Sequence, residues 1–164
     1  MEQEQEKFTF FWGGIFSQWH PSSFQIDGVT YNTAEQYMMA EKARMFGDKL
    51  SEQKIMMMPD PKAQKALGRK VVGFVAEKWN ASARDIVYKG NVAKFTQNPS
   101  LLKNLLDTRG TVLVEASPYD TIWGIGLAES DPRAKLRAQW KGLNWLGEVL
   151  TKVRDDYERG DLSV

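Results

Sequence analysis

The sequence predicts an α+β fold in a single compact domain that is mostly helical and contains a small β-hairpin or sheet. Two short apolar runs flank Asp27-Gly28, which is the pattern of a two-residue hairpin turn. Most of the other patterned stretches begin at a helix-capping residue and end at a glycine or before a proline. The 164 residues, 42% of them hydrophobic, suit one domain with its own core.

Four stretches are predicted to be strands. Residues 7–12, 23–26, 29–31 and 111–116 are rich in aromatic or β-branched side chains, or alternate between apolar and polar ones. The second and third stretches are the two arms of the predicted hairpin.

Six stretches are predicted to be helices. Thr33 and Gln36 form a capping box at the start of the first helix, Asp60-Pro61 begins the third, and Ser82 is predicted to cap the fourth. The predicted helices span residues 34–46, 48–57, 61–70, 82–97, 99–110 and 144–159. The weakly patterned segment 118–143 precedes the last helix, and loops of that length usually carry function or are disordered.

Composition excludes several classes of function. Basic residues number 22 against 21 acidic ones, so no broad basic surface for nucleic acid or a membrane is expected. The chain has no cysteine and one histidine, His20, which excludes thiolate chemistry, sulfur-ligated or His-based metal clusters and His-containing triads. Any acid or base must be Asp, Glu, Lys or Tyr, and no cofactor or metal is expected. The charged N-terminus lacks a signal core and no long apolar run follows, which predicts a cytoplasmic protein without membrane contact.

The predicted helix after Thr33 carries two ions on an apolar stripe. One face combines Glu35 and Lys42 with Met38, Met39 and Phe46. If this stripe faces the core, the carboxylate and the ammonium line a polar cleft, because buried ions are costly otherwise. The alternative is that both lie at the margin of the stripe and reach water.

Residues 117–126 follow a predicted strand, and side chains at the end of a strand commonly line the mouth of a pocket. Trp123 beside Gly124 and Gly126 can offer a flat face to a base while the backbone approaches a ligand closely. The alternative is a core tryptophan in a turn. Gly124-x-Gly126 alone is not a phosphate loop, because a third glycine and a following helix start are missing.

Basic and aromatic residues also alternate around the helix predicted from Ser82. This pattern can form a site for a phosphate and a ring, but it is also typical of a solvated helix face, which is the interpretation we favour. The residues concerned are Lys78, Trp79, Arg84, Tyr88, Lys89, Lys94 and Phe95.

Taken in order, the motifs of this chain resemble those of the NADAR (YbiA-like) superfamily. They are Phe11-Trp12, Phe16-Ser17-Gln18-Trp19, Thr33-Ala34-Glu35-Gln36-Tyr37-Met38, Glu41-Lys42-Ala43, Ala66-Leu67-Gly68-Arg69, Lys89 with Lys94-Phe95, Asp120 with Trp123-Gly124-x-Gly126, Asp131-Pro132-Arg133 and Gly142-Leu143-Asn144-Trp145-Leu146-Gly147. The resemblance runs from about Phe8 to Arg154, within one domain covering residues 1–164.

The resemblance implies an α-rich α+β fold and hydrolysis of an N-glycosidic bond. Relatives hydrolyse phosphoribosyl-amine intermediates of riboflavin synthesis or remove ADP-ribose from guanine. Residues 127–143 differ from the shorter, Gly-rich loop of the riboflavin-intermediate relatives and resemble the version in viral and eukaryotic members. This difference favours an ADP-ribosyl small molecule or ADP-ribosylated DNA as substrate.

A non-catalytic ADP-ribose or nucleotide-binding module is the alternative from another class of function, and the presence of both Glu35 and Asp120 argues against it. The oligomeric state is not predicted.

The resemblance also implies roles for individual residues. Glu35 and Asp120 are the expected carboxylate pair, with Lys42 as the third catalytic residue that meets a phosphate or polarises the leaving group. Trp123 is expected to stack on the base, and Asn144 to contact the ribose or a phosphate or to serve as a helix N-cap. The other expected substrate-binding residues are Gly124, Arg69, Lys89, Trp12 and Ser17.

Overall fold

The computed structural model describes residues 6–162, and over this range the chain is mostly helical. The helices are α1 Ala34–Met45, α2 Lys49–Met57, α3 Pro61–Gly68, α4 Ala76–Thr96, α5 Pro99–Leu106 and α6 Trp145–Arg159. The strands are β1 Phe8–Phe11, β2 Phe24–Ile26, β3 Val29–Tyr31 and β4 Val112–Glu115. The predicted α+β class is confirmed. Within residues 6–162, no helix combines the length and the apolar character that crossing a membrane requires.

Contacts within the chain define two compact units. Of the described residues, 6–17 and 102–162 form one unit, and Gln18–Leu101 form the other. The organisation of the whole chain as one domain stays a prediction.

The first unit is built on a parallel pair of strands. Phe8 of β1 lies opposite Val112 of β4, and Phe11 lies opposite Glu115. Helix α6 packs on β4, and a buried cluster formed by Val114, Ile125, Leu127 and Ala134 fills the core next to the strands. Because the strands are parallel, both carboxyl ends point to the same edge. The residues that follow β1 and β4 therefore meet at that edge.

The second unit is organised around α1, which packs on α2, α3 and α4. The predicted hairpin is confirmed: Asp27 and Gly28 have φ angles of 51° and 79°, as a type I′ turn requires. Gly90 of α4 packs against the ring of Tyr37, and a Cβ at Gly90 would lie 2.7 Å from that ring. A larger residue at this position would push α1 and α4 apart.

Helix α4 begins six residues before its predicted start. Val75 is the N-cap and makes no side-chain capping bond, whereas Ser82 lies in the second turn of the helix. Trp79 and Ala83 are buried on the same face. The prediction of Ser82 as the cap is wrong because tertiary packing of Trp79 extends the helix toward its N-terminus, past the local capping signal.

Candidate functional site

Glu35 lies in the first turn of α1, in the second unit. The Thr33 hydroxyl accepts a hydrogen bond from the Gln36 amide at 2.9 Å, which confirms the predicted cap. The Glu35 amide donates to the Gln18 carbonyl at 2.9 Å, and the residue is only 6% exposed. The interpretation that Glu35 reaches water is therefore wrong. The positive end of the helix dipole favours a carboxylate at this position.

Lys42 lies two turns further along α1 and is half-buried against aromatic rings. Its Nζ is 4.5 Å from the centroid of the Phe74 ring and 5.8 Å from that of Trp79. Burial lowers the pKa of Lys42, the charge of Glu35 opposes this shift, and the charge of Arg69 adds to it. Glu35, Lys42 and Arg69 are thus close enough to interact electrostatically. The two rings were not predicted as part of this cluster.

The structure separates the two other predicted cations. Arg69 is exposed directly after α3 and interacts with Lys42. Lys89 of α4 instead forms an ion pair with Asp27 in the hairpin turn, with a distance of 3.7 Å between Nζ and the carboxylate. Arg69 is therefore part of the Glu35–Lys42 cluster, whereas the ammonium of Lys89 is held at the hairpin.

Helix α4 also buries two polar residues, Asn91 and Lys94. The Asn91 amide donates to the Gln18 side-chain carbonyl at 2.9 Å, and both residues are buried. Lys94 is 0% exposed, and burial lowers its pKa to about 7. The interpretation of the basic residues on this helix as a solvated face is wrong for Lys94. The signal was present, because Lys94 follows Val87 at a spacing of seven on the buried face.

Asp120 lies in the first unit, on the segment that follows β4. Its Oδ1 accepts hydrogen bonds from the amides of Ile122 at 2.9 Å and Trp123 at 2.8 Å. The Ser117 hydroxyl accepts from the Asp120 amide at 3.2 Å. Among the described residues no side chain or amide donates to Oδ2, and the residue is half-buried. One carboxylate oxygen thus shapes the turn, and the other is available to a ligand.

Trp123 and Gly124 occupy the same turn but differ in role. The Trp123 ring is half-buried and packs edge-to-face on Trp145, with 5.5 Å between centroids. Gly124 is buried, and a Cβ there would lie 3.0 Å from the carbonyl oxygens of Asp120 and Glu115. The need for glycine at position 124 is therefore explained by packing against the chain itself. Contact between Gly124 and a substrate stays a prediction.

Asn144 precedes α6 but does not cap it. Its backbone is left-handed, with φ of 53°, and its side chain makes no capping bond. The side-chain amide donates to the Leu113 carbonyl at 3.0 Å and its oxygen accepts from the Glu115 amide at 2.9 Å. The N-cap interpretation is wrong because the side chain supports β4 instead. A substrate contact by Asn144 remains untested.

Trp12 and Ser17 lie on the segment that follows β1. Trp12 is 60% exposed, and its ring centroid is 5.8 Å from that of Tyr119, which is 84% exposed. The Ser17 amide donates to the Gly14 carbonyl at 3.0 Å and ends a short 3-10 turn. Sequence reasoning missed Tyr119, although its position beside Asp120 after a predicted strand was the available signal.

The two units present different chemical groups. The second unit supplies a buried carboxylate next to two cations, which suits stabilisation of a cationic sugar and of phosphate oxygens. The first unit supplies a carboxylate oxygen and exposed aromatic rings, which suit a ribose and a base. Across residues 6–162, no three His, Asp or Glu side chains are grouped as metal ligands would be.

Comparisons with known proteins agree on one family. A model described as the NADAR domain matches residues 10–158, which run through both units. An N-glycosidase of Acanthamoeba polyphaga mimivirus is 43% identical, over 95% of this chain and 99% of its own length. The chloroplastic riboflavin biosynthesis protein PYRR of Zea mays is 32% identical over 87% of this chain, which spans 23% of that protein. The NMR structure of the E. coli protein YbiA matches with a TM-score of 0.78 and 26% identity, covering 99% of this chain and 91% of the other.

Proposed function

The chain belongs to the NADAR domain family, whose curated members include N-glycosidases, and we propose that it removes ADP-ribose from ADP-ribosylated guanine, as a nucleotide or in DNA. The bond broken joins C1 of the ribose to a nitrogen of the base, and water supplies the new hydroxyl. The observation that carries the proposal is the buried Glu35 carboxylate within electrostatic reach of Lys42 and Arg69.

Rupture of the C1–N bond places positive charge on the sugar and negative charge on the departing base. An anion next to C1 stabilises the first charge, and a buried anion does so more strongly than an exposed one because little water screens it. Glu35 is 6% exposed and is held at the start of α1 by the Glu35–Gln18 backbone bond. We assign Glu35 to stabilisation of the oxocarbenium ion or to activation of the water.

Asp120 is the second carboxylate of the proposed mechanism. Its Oδ1 is occupied by two backbone amides, so Oδ2 is the atom that would hold the ribose or assist departure of the base. The division of roles between Asp120 and Glu35 follows the paired-carboxylate logic of glycoside hydrolysis. Trp123, which shows part of its ring to solvent, would stack on the leaving base.

Lys42 and Arg69 would meet the anionic part of the substrate. Burial already lowers the pKa of Lys42, which makes its proton easier to give to a leaving base. A phosphate near Lys42 would instead favour the charged ammonium. Both tasks need the protonated ammonium, so the rate and phosphate binding should each fall as the pH rises through the pKa of Lys42.

Support for an ADP-ribosyl substrate comes from residues 127–143 and from the pattern of identity. This loop resembles the version in viral and eukaryotic members, and the viral N-glycosidase is 43% identical, compared with 32% for the riboflavin biosynthesis protein of Zea mays. Hydrolysis of phosphoribosyl-amine riboflavin intermediates is the second candidate, and the similarity to that plant protein is the observation that favours it.

A product assay distinguishes these reactions. Purified protein is incubated with ADP-ribosylated GMP, with an ADP-ribosylated oligonucleotide and with phosphoribosylated diaminopyrimidine, and the products are separated by chromatography and identified by mass. Release of ADP-ribose from either of the first two supports the proposal. Release of ribose 5-phosphate alone supports the riboflavin reaction, and binding without turnover of any substrate would support a binding module instead.

A further inference from the structure

Two exposed aromatic rings lie side by side in the unit that carries Asp120. Trp12 and Tyr119 are 60% and 84% exposed, their ring centroids are 5.8 Å apart, and the ring planes are inclined by 56°. Single exposed apolar side chains are common on proteins, but two large rings in contact with each other and with water form a small apolar patch. Because both rings are exposed, the patch contributes little to the stability of the fold, and it offers an apolar surface for a planar ligand.

The parallel strand pair explains why these rings meet. Phe11, at the end of β1, lies opposite Glu115, at the end of β4, and Trp12 and Tyr119 follow those two ends. Ligands of parallel sheets bind outside the carboxyl ends of the strands. The two rings are therefore at the edge where a ligand is expected.

The backbone beneath Tyr119 is anchored. The Ser117 hydroxyl accepts hydrogen bonds from the amides of Tyr119 at 3.3 Å and Asp120 at 3.2 Å. Asp120 in turn caps the following turn through its Oδ1. An exposed ring on an anchored turn loses little backbone freedom when a ligand binds.

We propose that Trp12 and Tyr119 form a stacking platform for a second nucleobase of the substrate, separate from the leaving base. The inference rests on the proposed function, because ADP-ribosylated guanine carries two bases and a phosphoribosylated pyrimidine carries one. A neutral planar ring fits this place better than a phosphate does, since the next residue is the Asp120 carboxylate. The second base is either the adenine of the ADP-ribosyl group or a neighbouring base in DNA.

Binding measurements with the full chain test the platform directly. We compare the wild type, Tyr119→Ala, Tyr119→Phe and Tyr157→Ala by calorimetric titration with ADP-ribose and with ribose 5-phosphate. Tyr157 is an exposed tyrosine on α6 and serves as the matched control. If adenine occupies the platform, Tyr119→Ala should raise the Kd for ADP-ribose about 5- to 150-fold, the range produced by loss of base stacking. Tyr119→Phe, Tyr157→Ala and the ribose 5-phosphate titrations should stay within about twofold of wild type.

Kinetics with the two guanine substrates identify the source of the base. A KM for ADP-ribosylated GMP that rises in Tyr119→Ala indicates adenine on the platform. A KM that rises only for the ADP-ribosylated oligonucleotide indicates a neighbouring DNA base, and both results support the proposal. It is overturned if every Tyr119→Ala constant stays within twofold of wild type, or if affinity for ADP-ribose and ribose 5-phosphate falls equally. It is also overturned if sedimentation shows that Tyr119→Ala converts a dimer to a monomer.

The platform and the proposed reaction can fail independently. If the wild type binds ADP-ribose in a Tyr119-dependent manner but releases none from either guanine substrate, the platform stands and the proposed reaction falls. If the wild type turns over ADP-ribosylated guanine and Tyr119→Ala does so with unchanged KM for both substrates, the reaction stands and the platform falls.

Discussion

Replacing Asn144 with alanine should destabilise the fold, because this side chain supports the backbone of β4. The residue is fully buried and bonds to the Leu113 carbonyl and the Glu115 amide. A buried polar group left without a partner costs about 1–3 kcal/mol. We apply that range to the carbonyl of the buried Leu113 and its lower value, about 1 kcal/mol, to the amide of the half-buried Glu115. Alanine in the left-handed region, at the φ of 53° seen here, adds about 1 kcal/mol. We therefore expect the free energy of unfolding to fall by about 3–5 kcal/mol.

Urea denaturation followed by tryptophan fluorescence measures this change. For a chain of this length, each kcal/mol corresponds to about 2–4 °C in Tm, so the Tm should fall by roughly 6–20 °C. Asn144→Gly removes the same two bonds without the backbone strain and should lose about 1 kcal/mol less than Asn144→Ala. Asn80→Ala, at an exposed position of α4, is the control and should change stability by less than about 0.5 kcal/mol.

The reasoning is refuted if the free energy of unfolding of Asn144→Ala lies within about 1 kcal/mol of the wild-type value while KM rises several-fold. Asn144 would then act through the substrate and not through β4. If stability falls as expected and Asn144→Gly restores part of it, the residue supports the edge of the strands from which the Asp120 segment begins.

Three further predictions concern the site and the buried lysine. Glu35→Gln should lower kcat about 10²- to 10⁴-fold with an unchanged Tm, because the amide keeps the shape and the backbone bond to Gln18 but loses the charge; near-normal turnover would contradict the assignment. Trp123→Ala should raise KM and lower kcat together, and unchanged values of both would show that Trp123 serves packing alone. Burial lowers the pKa of Lys94 from 10.5 to about 7. Between these two pH values the unfolded chain binds a proton that the folded chain lacks, so the free energy of unfolding should rise with pH. Lys94→Met should lose that rise in urea denaturation at pH 7.5 and 9.5, and parallel pH dependences of the two proteins would show that Lys94 is charged in the fold.

The local elements were largely predictable because their signals are local. Asp27-Gly28 adopts the two positive φ angles of a hairpin turn, which few other residue pairs tolerate. Thr33 caps α1, and Asp60 caps α3 through the Lys62 amide at 3.0 Å. A short polar side chain before a helix can accept a hydrogen bond from a free backbone amide of the first turn, and the side chains of Thr33 and Asp60 both do so.

Two capping predictions failed for a common reason. Ser82 and Asn144 have the right side chains for an N-cap, but burial of Trp79 extends α4 past Ser82, and β4 takes the amide of Asn144. A capping bond contributes about 1 kcal/mol, which is less than the burial of a large ring or the pairing of two buried backbone groups. Tertiary contacts therefore decided both positions.

The candidate site was also predictable only in part. Motif order nominated Glu35, Lys42 and Asp120 as candidate catalytic residues, a role that stays a prediction, and helical spacing predicted that the first two share one face. Spacing could not show that Phe74 and Trp79 surround Lys42, or that Lys89 pairs with Asp27, because these contacts join residues on separate elements.

The sequence by itself determined the fold class, most helix starts, the hairpin and the family, since each depends on residues near one another or on the order of motifs. Only the tertiary structure decided which polar residues are buried and that β1 pairs with β4. The parallel pairing of β1 with β4 brings Trp12 beside Tyr119 across more than a hundred residues of chain. Burial then sets the electrostatic environment of Lys42 and Lys94, because the cost of removing a charge from water depends on the surrounding atoms and not on the neighbours in sequence.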